Sequence, residues 1–440
     1  MKAYKTLNKL FYGPPEVYRK TYEARFSSPT AIHLDFSVAG SPAFFVQNNA
    51  IIQQVYHILR LDKEICQLKQ QLPPIALSQY TRRCLIDEVV LTNQIEGIRS
   101  SRKEIGAVLD ELGTQSAQRG KKKRFDGIVK KYAMLQNQEA LFLKTCQDVR
   151  SLYDELVLDE VVAEDPKHRP DGKWFRKDLT EIKNGVGRVI HRGLYPEEAI
   201  IASMEKALAF LRDASVEGLY RICLFHYLLE YIHPFYDGNG RLGRFIVSEY
   251  LARTMDLLLG YRLSRTIKEN LSQYYKAFEI CNHTRNLGDL TPFLHMMLGM
   301  IAQSEEDLQE SLSDKVALLY RYKERIPALP RAKEKDMAAL YFLLIQAGLF
   351  GEAGTSTREI QAYLSAGDGK VKGLLAKIPE DLLLCQKIGR EKFYALQVDR
   401  LEAPEYGPYG VDRLTSNGSG PSIDGKPAEP LLPEPDTGKR

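Results

Sequence analysis

The sequence predicts a mainly α-helical protein with a small β-hairpin ahead of its central helices and a second compact module near its C-terminus. Three observations carry this reading. Apolar residues recur at helical spacing through most of residues 48–312. The stretch AEDPKHRPDGKWFRKDLTEIKNGVGRVIHRGLYPEEA breaks that spacing with prolines, glycines and short β-branched runs, which suit a loop or small hairpin. Residues 334–399 then run in the order helix, helix, helix, hairpin.

Taken in order, ALSQYTRRCLIDEVVLTNQIEG reads as one helix with Gly97 as its natural C-cap. Ser100 or Ser101 can cap the next helix, RKEIGAVLDEL. The connector GTQSAQRGKKKRF is polar and basic, and its Lys121–Arg124 run reads as solvated surface before it reads as a nucleic-acid contact. Residues 125–160 are helical again. After the hairpin region, three apolar helices are expected at roughly 197–213, 216–232 and 241–257, with more from 268 to 312.

Near the C-terminus, KDMAALYFLLIQAG ends at a glycine, STREIQAYL opens with a cap residue, KVKGLLAKI is short and basic, and LLLCQKIGREKFYALQV alternates like two strands. That is the order of a winged helix-turn-helix. The Pro-, Gly- and Ser-rich tail beyond residue 400 reads as disordered. The expected division is a helical N-terminal region (1–110), a core (111–315), the winged module (330–400) and the tail (401–440).

The 61 basic and 57 acidic residues nearly cancel, to a formal net charge of +4. The whole molecule is therefore not an electrostatic nucleic-acid binder, although one module could still be. Six cysteines lie far apart without a C-x-x-C pair, so neither a disulfide framework nor a zinc site is suggested. The first twenty residues, MKAYKTLNKLFYGPPEVYRK, are interrupted by charge and proline, unlike a signal peptide. No run approaches about 18 uncharged apolar residues, so no membrane contact is expected and the chain reads as cytoplasmic.

The most informative stretch is IHPFYDGNGRLGRF, residues 232–245. It contains a literal G-x-G-x-x-G, but a dinucleotide site needs a strand before the first glycine. Here an 18-residue helical pattern precedes it, with Leu219, Ile222, Cys223, His226, Leu229 and Ile232 on one face. An EF-hand fails as well: Leu242 replaces the required glycine, Arg241 occupies position 5, and Ser248 replaces the final glutamate.

What remains is helix, glycine-rich loop, helix. The glycines permit a tight fold, and the free N–H groups opening the second helix make an anion hole that its dipole reinforces. Arg241 and Arg244 are three apart, on one face of that helix's first turn. Cations there are unfavourable by a few tenths of a kcal/mol, roughly, unless a polyphosphate lies between them and the dipole. Asp237 offers one hard carboxylate, which suits Mg²⁺ shared with phosphate oxygens. His233 can act as a general base.

His233-Pro-Phe-Tyr-Asp-Gly-Asn-Gly-Arg-Leu-Gly-Arg244 matches every fixed position of H-P-F-x-[D/E]-G-N-G-R-x-x-R, and the chain thereby resembles the Fic family over about residues 30–310. The resemblance implies a helical Fic core with a small β-hairpin flap, and an activity that moves AMP from ATP to a Ser, Thr or Tyr hydroxyl of a protein, including itself. By position, His233 would deprotonate the hydroxyl and Asp237 would bind Mg²⁺. Gly238, Asn239 and Gly240 would form the anion hole, Arg241 would hold phosphate, and Arg244 would take the γ-phosphate. Phe235 would anchor the loop. GRVIHRGLYPEE, around Ile190, resembles the flap that pairs with a target segment.

Upstream, Thr92-Asn-Gln-Ile-Glu96-Gly97 resembles the family's inhibitory motif, [S/T]-x-x-x-E-[G/N]. It implies that Glu96 pairs with Arg244 within the same chain and blocks the γ-phosphate position. The same glutamate could instead serve removal of AMP. Two further readings stay open: a DNA-binding regulator whose core senses nucleotide, with KVKGLLAK entering a major groove, or a transferase of another nucleotide. The winged module could contact DNA or protein, and a homodimer is open too.

Overall fold

The computed structural model of the chain describes residues 4–113, 123–137, 141–183, 189–388, 391–402 and 406. Lys121 and Lys122 of the basic run, residues 184–188 and nearly all of the tail lie outside the described residues.

The chain opens with α1 (Leu7–Leu10) and α2 (Pro15–Phe26), followed by a hairpin of β1 (Ala31–Val38) and β2 (Ser41–Val46). This hairpin is a correction to the helical reading of residues 1–110. Its signal is period two: Leu34, Phe36 and Val38 are buried while the residues between them are exposed, and Ala39-Gly40 turn the chain with positive φ at both positions. Two long helices follow, α3 (Asn49–Gln70) and α4 (Pro74–Ile95). The Asn48 side chain caps α3 by accepting from the Ile51 N–H.

At the end of α4, the N–H groups of Gly97 and Ile98 donate to the carbonyls of Gln94 and Asn93, with Gly97 at φ +75°. This paired closure stops the helix and fixes Glu96 as its C-cap residue. Ser101 then caps α5 (Arg102–Gly113) through the Glu104 N–H.

The next helices are α6 (Asp126–Met134), α7 (Cys146–Tyr153) and α8 (Asp159–Glu164), the last two joined by a widened turn at 154–158. A short antiparallel hairpin, β3 (Glu181–Lys183) and β4 (Val189–Arg192), stands where the periodicity breaks. The core helices are α9 (Glu197–Arg212), α10 (Gly218–Ile232), α11 (Asn239–Thr254), α12 (Leu257–Gly260), α13 (Leu263–Glu269), α14 (Leu271–Asn282) and the 35-residue α15 (Thr291–Arg325). α10 is buried on nearly every face, with α9, α11 and α15 against it, and α15 also runs along α3.

The C-terminal region consists of α16 (Met337–Phe350), β5 (Thr355–Ser356), α17 (Thr357–Leu364), α18 (Asp368–Leu375), β6 (Leu383–Ile388) and β7 (Glu391–Leu396), with sheet order β5-β7-β6. α16 packs on α4, where Tyr80 meets Phe350 edge to face at 6.2 Å. Among the described residues no helix is long and apolar enough to cross a membrane.

One buried carboxylate seats α4 on the core. Glu88 accepts from the Ser264 N–H (3.0 Å) and hydroxyl (2.6 Å) at the start of α13. Glu88→Ala should cost about 3 kcal/mol, because a buried donor loses its partner, and urea unfolding would measure it. Burial raises the Glu88 carboxyl from 4.5 to about 7. Its contribution is therefore complete below about pH 4.5 and is lost as pH rises through about 7. In Glu88→Gln this part of the pH dependence should vanish.

Candidate functional site

The site is built where α10 ends and α11 begins. His233 terminates α10 in the left-handed region (φ 51°, ψ 64°), its N–H donating to the Leu229 carbonyl. Gly238 precedes α11, also left-handed at φ +83°, and a Cβ there would meet Val157 Cγ2 at 3.0 Å. Glycine is needed at this position for both reasons.

Between these two points the loop is clamped. Asn239 accepts from the Phe235 N–H (3.0 Å) and donates to the Phe235 carbonyl (2.8 Å). Phe235 stacks on Tyr153 at 3.6 Å and meets Phe175 edge to face. The Tyr153 hydroxyl donates to the Asp237 carbonyl. The Asn239 side chain is thus spent on the loop, and only its main-chain N–H remains to face an anion.

The N–H groups of Asn239, Gly240 and Arg241 open α11 and have no partner within the helix. Glu96 stands over them: a Cβ added to Gly240 would lie 2.1 Å from Glu96 Oε1. The same oxygen accepts from Arg244 Nη1 at 2.7 Å. Arg244 also donates from Nε to the Thr92 hydroxyl (2.9 Å) and from Nη2 to the Thr92 carbonyl (3.1 Å). Thr92 and Glu96, one turn apart on α4, thus meet a residue more than 140 positions along the chain. Arg244 is only 1% exposed, and its guanidinium is held above its ordinary pKa by Glu96 despite burial.

The remaining expected residues have mixed surroundings. Arg241 is buried and pairs with Glu160 on α8 at 3.0 Å, leaving its Nε without a partner. Asp237 accepts from the Gly238 N–H through Oδ1 at 2.6 Å. Among the described residues there is no group of three or more His, Cys, Asp or Glu able to hold a metal. One carboxylate completed by phosphate oxygens and water needs no such group, so the donor at Asp237 fits that mode. His233 is pushed down to about 3, first by burial and then by the charges of His191 and Arg176, opposed by the Glu230 main chain.

Arg176 and Glu230 were not singled out from the sequence. Arg176 is fully buried and donates to the carbonyls of His233 (2.9 Å), Leu194 (2.8 Å) and Asp178 (2.5 Å). Its own N–H donates to the Pro234 carbonyl, and Leu194 donates to Ile232. His191 on β4 donates from Nε2 to the Tyr231 carbonyl at 2.7 Å. The β3–β4 hairpin is thereby fastened to the His233 end of α10. No local pattern marks Arg176, because its side chain meets only main-chain oxygens, two of them from distant segments.

Fold and site together define a mainly helical protein with a helix N-terminus over which a carboxylate of its own N-terminal region is seated. Residues 144–251 match the family described as Fic/DOC. It is 30% identical over 158 residues to protein adenylyltransferase fic-1 of Caenorhabditis elegans, covering 35% of this chain and 29% of that one. It is 38% identical over 74 residues to protein adenylyltransferase Fic of Drosophila grimshawi, covering 17% and 14%. The chain thus spans less than a third of the length of these relatives. A crystal structure of a Fic family protein from Desulfovibrio desulfuricans G20 aligns with a TM-score of 0.49 at 20% identity, covering 80% of this chain and 97% of that one.

Asn239→Ala should destabilise the chain by about 2–3 kcal/mol, since it removes two buried hydrogen bonds and leaves both Phe235 main-chain groups unpaired. Hydrogen exchange at the Phe235 amide should accelerate in parallel.

Proposed function

We propose that the chain is a protein adenylyltransferase, moving AMP from ATP to a Ser, Thr or Tyr hydroxyl of a protein, itself included, and held in check in cis by Glu96. The observation that carries this reading is the Glu96 carboxylate, bound to Arg244 at 2.7 Å and seated over the first turn of α11. A carboxylate there takes up the helix N-terminus and the guanidinium that a terminal phosphate would need.

In the open state, the N–H groups of Gly238, Asn239 and Gly240 would cradle phosphate, Arg241 would hold it, and Arg244 would receive the γ-phosphate. Asp237 would hold Mg²⁺, which when bound offsets phosphate charge. His233 takes the hydroxyl proton as the oxygen bonds to the α-phosphorus. The bond to the β-phosphate breaks, and pyrophosphate leaves. Such transfer depends on positioning and charge neutralisation, and the clamped loop supports that. The β3–β4 hairpin would present the target segment by strand pairing. Removal of AMP, with Glu96 orienting water, uses the same residues.

The three helices and three-stranded sheet of residues 330–400 support the winged-helix reading. The three lysines of KVKGLLAK are engaged: Lys372 pairs with Asp368 (2.7 Å), Lys370 with Asp336 and Lys377 with Glu334. Neutralised lysines favour a protein contact, a second copy included, over a duplex.

Glu96→Gly should raise self-labelling by α-phosphate-labelled ATP with Mg²⁺. Adding His233→Ala should lower it by about a hundredfold or more. An unlabelled Glu96→Gly protein that still binds ATP would sink the reading.

A further inference from the structure

Glu230 sits one turn before His233 and takes no part in the chemistry above. Its Oε2 lies 3.8 Å from His233 Nδ1, and each side chain is only 13% exposed. Its other oxygen, Oε1, and His233 Nδ1 are both buried without a well-formed hydrogen bond. Glu230 Oε1 is buried without a partner, and the side-chain oxygen of Glu230 approaches a ring nitrogen that otherwise meets only the Glu230 main chain, which calls for a reason.

The surroundings supply one. Gly243 brings α11 close enough that a Cβ there would lie 3.1 Å from Glu230 Oε1. Arg244 follows it directly, with Glu96 bound to its guanidinium. Glu230 is thus close to the base and within reach of the charges of Glu96 and Arg244.

We infer that Glu230 is a positioning residue for His233, and that through it Glu96 acts on the base as well as on the arginine. This rests on the transferase reading. When His233 takes the hydroxyl proton, a positive charge forms on its ring, and Nδ1–H faces Glu230 Oε2. An ionised Glu230 stabilises that imidazolium across 3.8 Å, and no proton passes to the carboxylate. A neutral Glu230 offers no such help.

Glu96 biases which form is present. Burial and then the Glu96 charge push the Glu230 carboxyl up to about 8, while Arg244 pulls it down. Near neutral pH the covered site thus holds Glu230 protonated beside a His233 of low basicity. Moving Glu96 away removes the like charge and leaves Arg244 free to favour the carboxylate. The other groups facing this cluster are His226 on α10 and Tyr274 and Tyr275 on α14, and His191 and Arg176 face His233. The phenols are held protonated by burial and do not supply the negative charge.

The test titrates His233 by NMR in Glu96→Gly and in Glu96→Gly/Glu230→Gln, alongside the pH profile of self-labelling. The imidazole pKa should fall by about one unit or more when Glu230 is made neutral, the range for losing a nearby opposite charge. Labelling at pH 7.5 should drop by about tenfold with the KM for ATP unchanged, and Glu230→Asp should restore part of it. An identical His233 titration in the two proteins overturns the inference whether or not labelling occurs. Loss of labelling already in Glu96→Gly would count against the transferase reading and leave the titration to decide on Glu230.

Discussion

Arg244 is a guanidinium buried in the second turn of α11, close to a helix N-terminus, where a positive charge is unwelcome. A buried charge that loses its partner costs roughly 3–5 kcal/mol, so Arg244 must always hold an anion. In this structure the anion is Glu96. Thr92 adds two neutral acceptors, which fix the direction of the guanidinium but carry no full charge. The docking of the end of α4, the covering of the α11 N-terminus and the burial of Arg244 are thus one interaction seen from three sides. Any phosphate that is to reach this helix start has to replace a carboxylate from the same chain.

That competition makes sense only if one side is rigid and the other can move. The rigid side is the loop between α10 and α11, pinned by two left-handed residues, the Asn239 clamp and the Phe235–Tyr153 stack. Arg176 extends the rigidity to the β3–β4 hairpin by tying its own segment (through Asp178) to Leu194 and to His233–Pro234 through their main-chain oxygens. The other side is the last turn of α4. Up to Ile95 its side chains are anchored, with Asn93 and Ile95 buried, whereas Glu96 is 27% exposed at the side chain and Lys268 donates to the Gln94 carbonyl from the surface. Further back, Glu88 and the packing of α16 hold the helix to the core. Release of Glu96 therefore requires its side chain to leave Arg244, while the rest of α4 stays packed.

Much of this was legible in the sequence because its information is local. The helices around the loop follow from apolar spacing, and Gly97 marks the end of α4 through a closure that only a left-handed residue completes well. His233, Asp237, Gly238, Asn239, Gly240, Arg241 and Arg244 fall within twelve positions, so one motif contains them. Thr92 and Glu96 were legible by motif alone; that they reach Arg244 is a tertiary fact. Arg176, Glu160 and Glu230 were not legible. Arg176 acts on main-chain atoms, Glu160 meets Arg241 from a separate helix, and Glu230 matters through a 3.8 Å approach. The β1–β2 hairpin did have a local signal, the alternation of Leu34, Phe36 and Val38, which a helical reading of the first hundred residues passed over.

The central claim is that Glu96 occupies the place of a terminal phosphate on Arg244, and calorimetric titration of ATP and ADP tests it most directly. In the unaltered protein ATP should bind no more tightly than ADP, because the γ-phosphate finds Arg244 engaged. In Glu96→Gly, ATP should gain by about tenfold or more over ADP, the worth of a charge-assisted contact of about 1.5–3 kcal/mol. An ATP-to-ADP affinity ratio that is the same in both proteins would contradict the account.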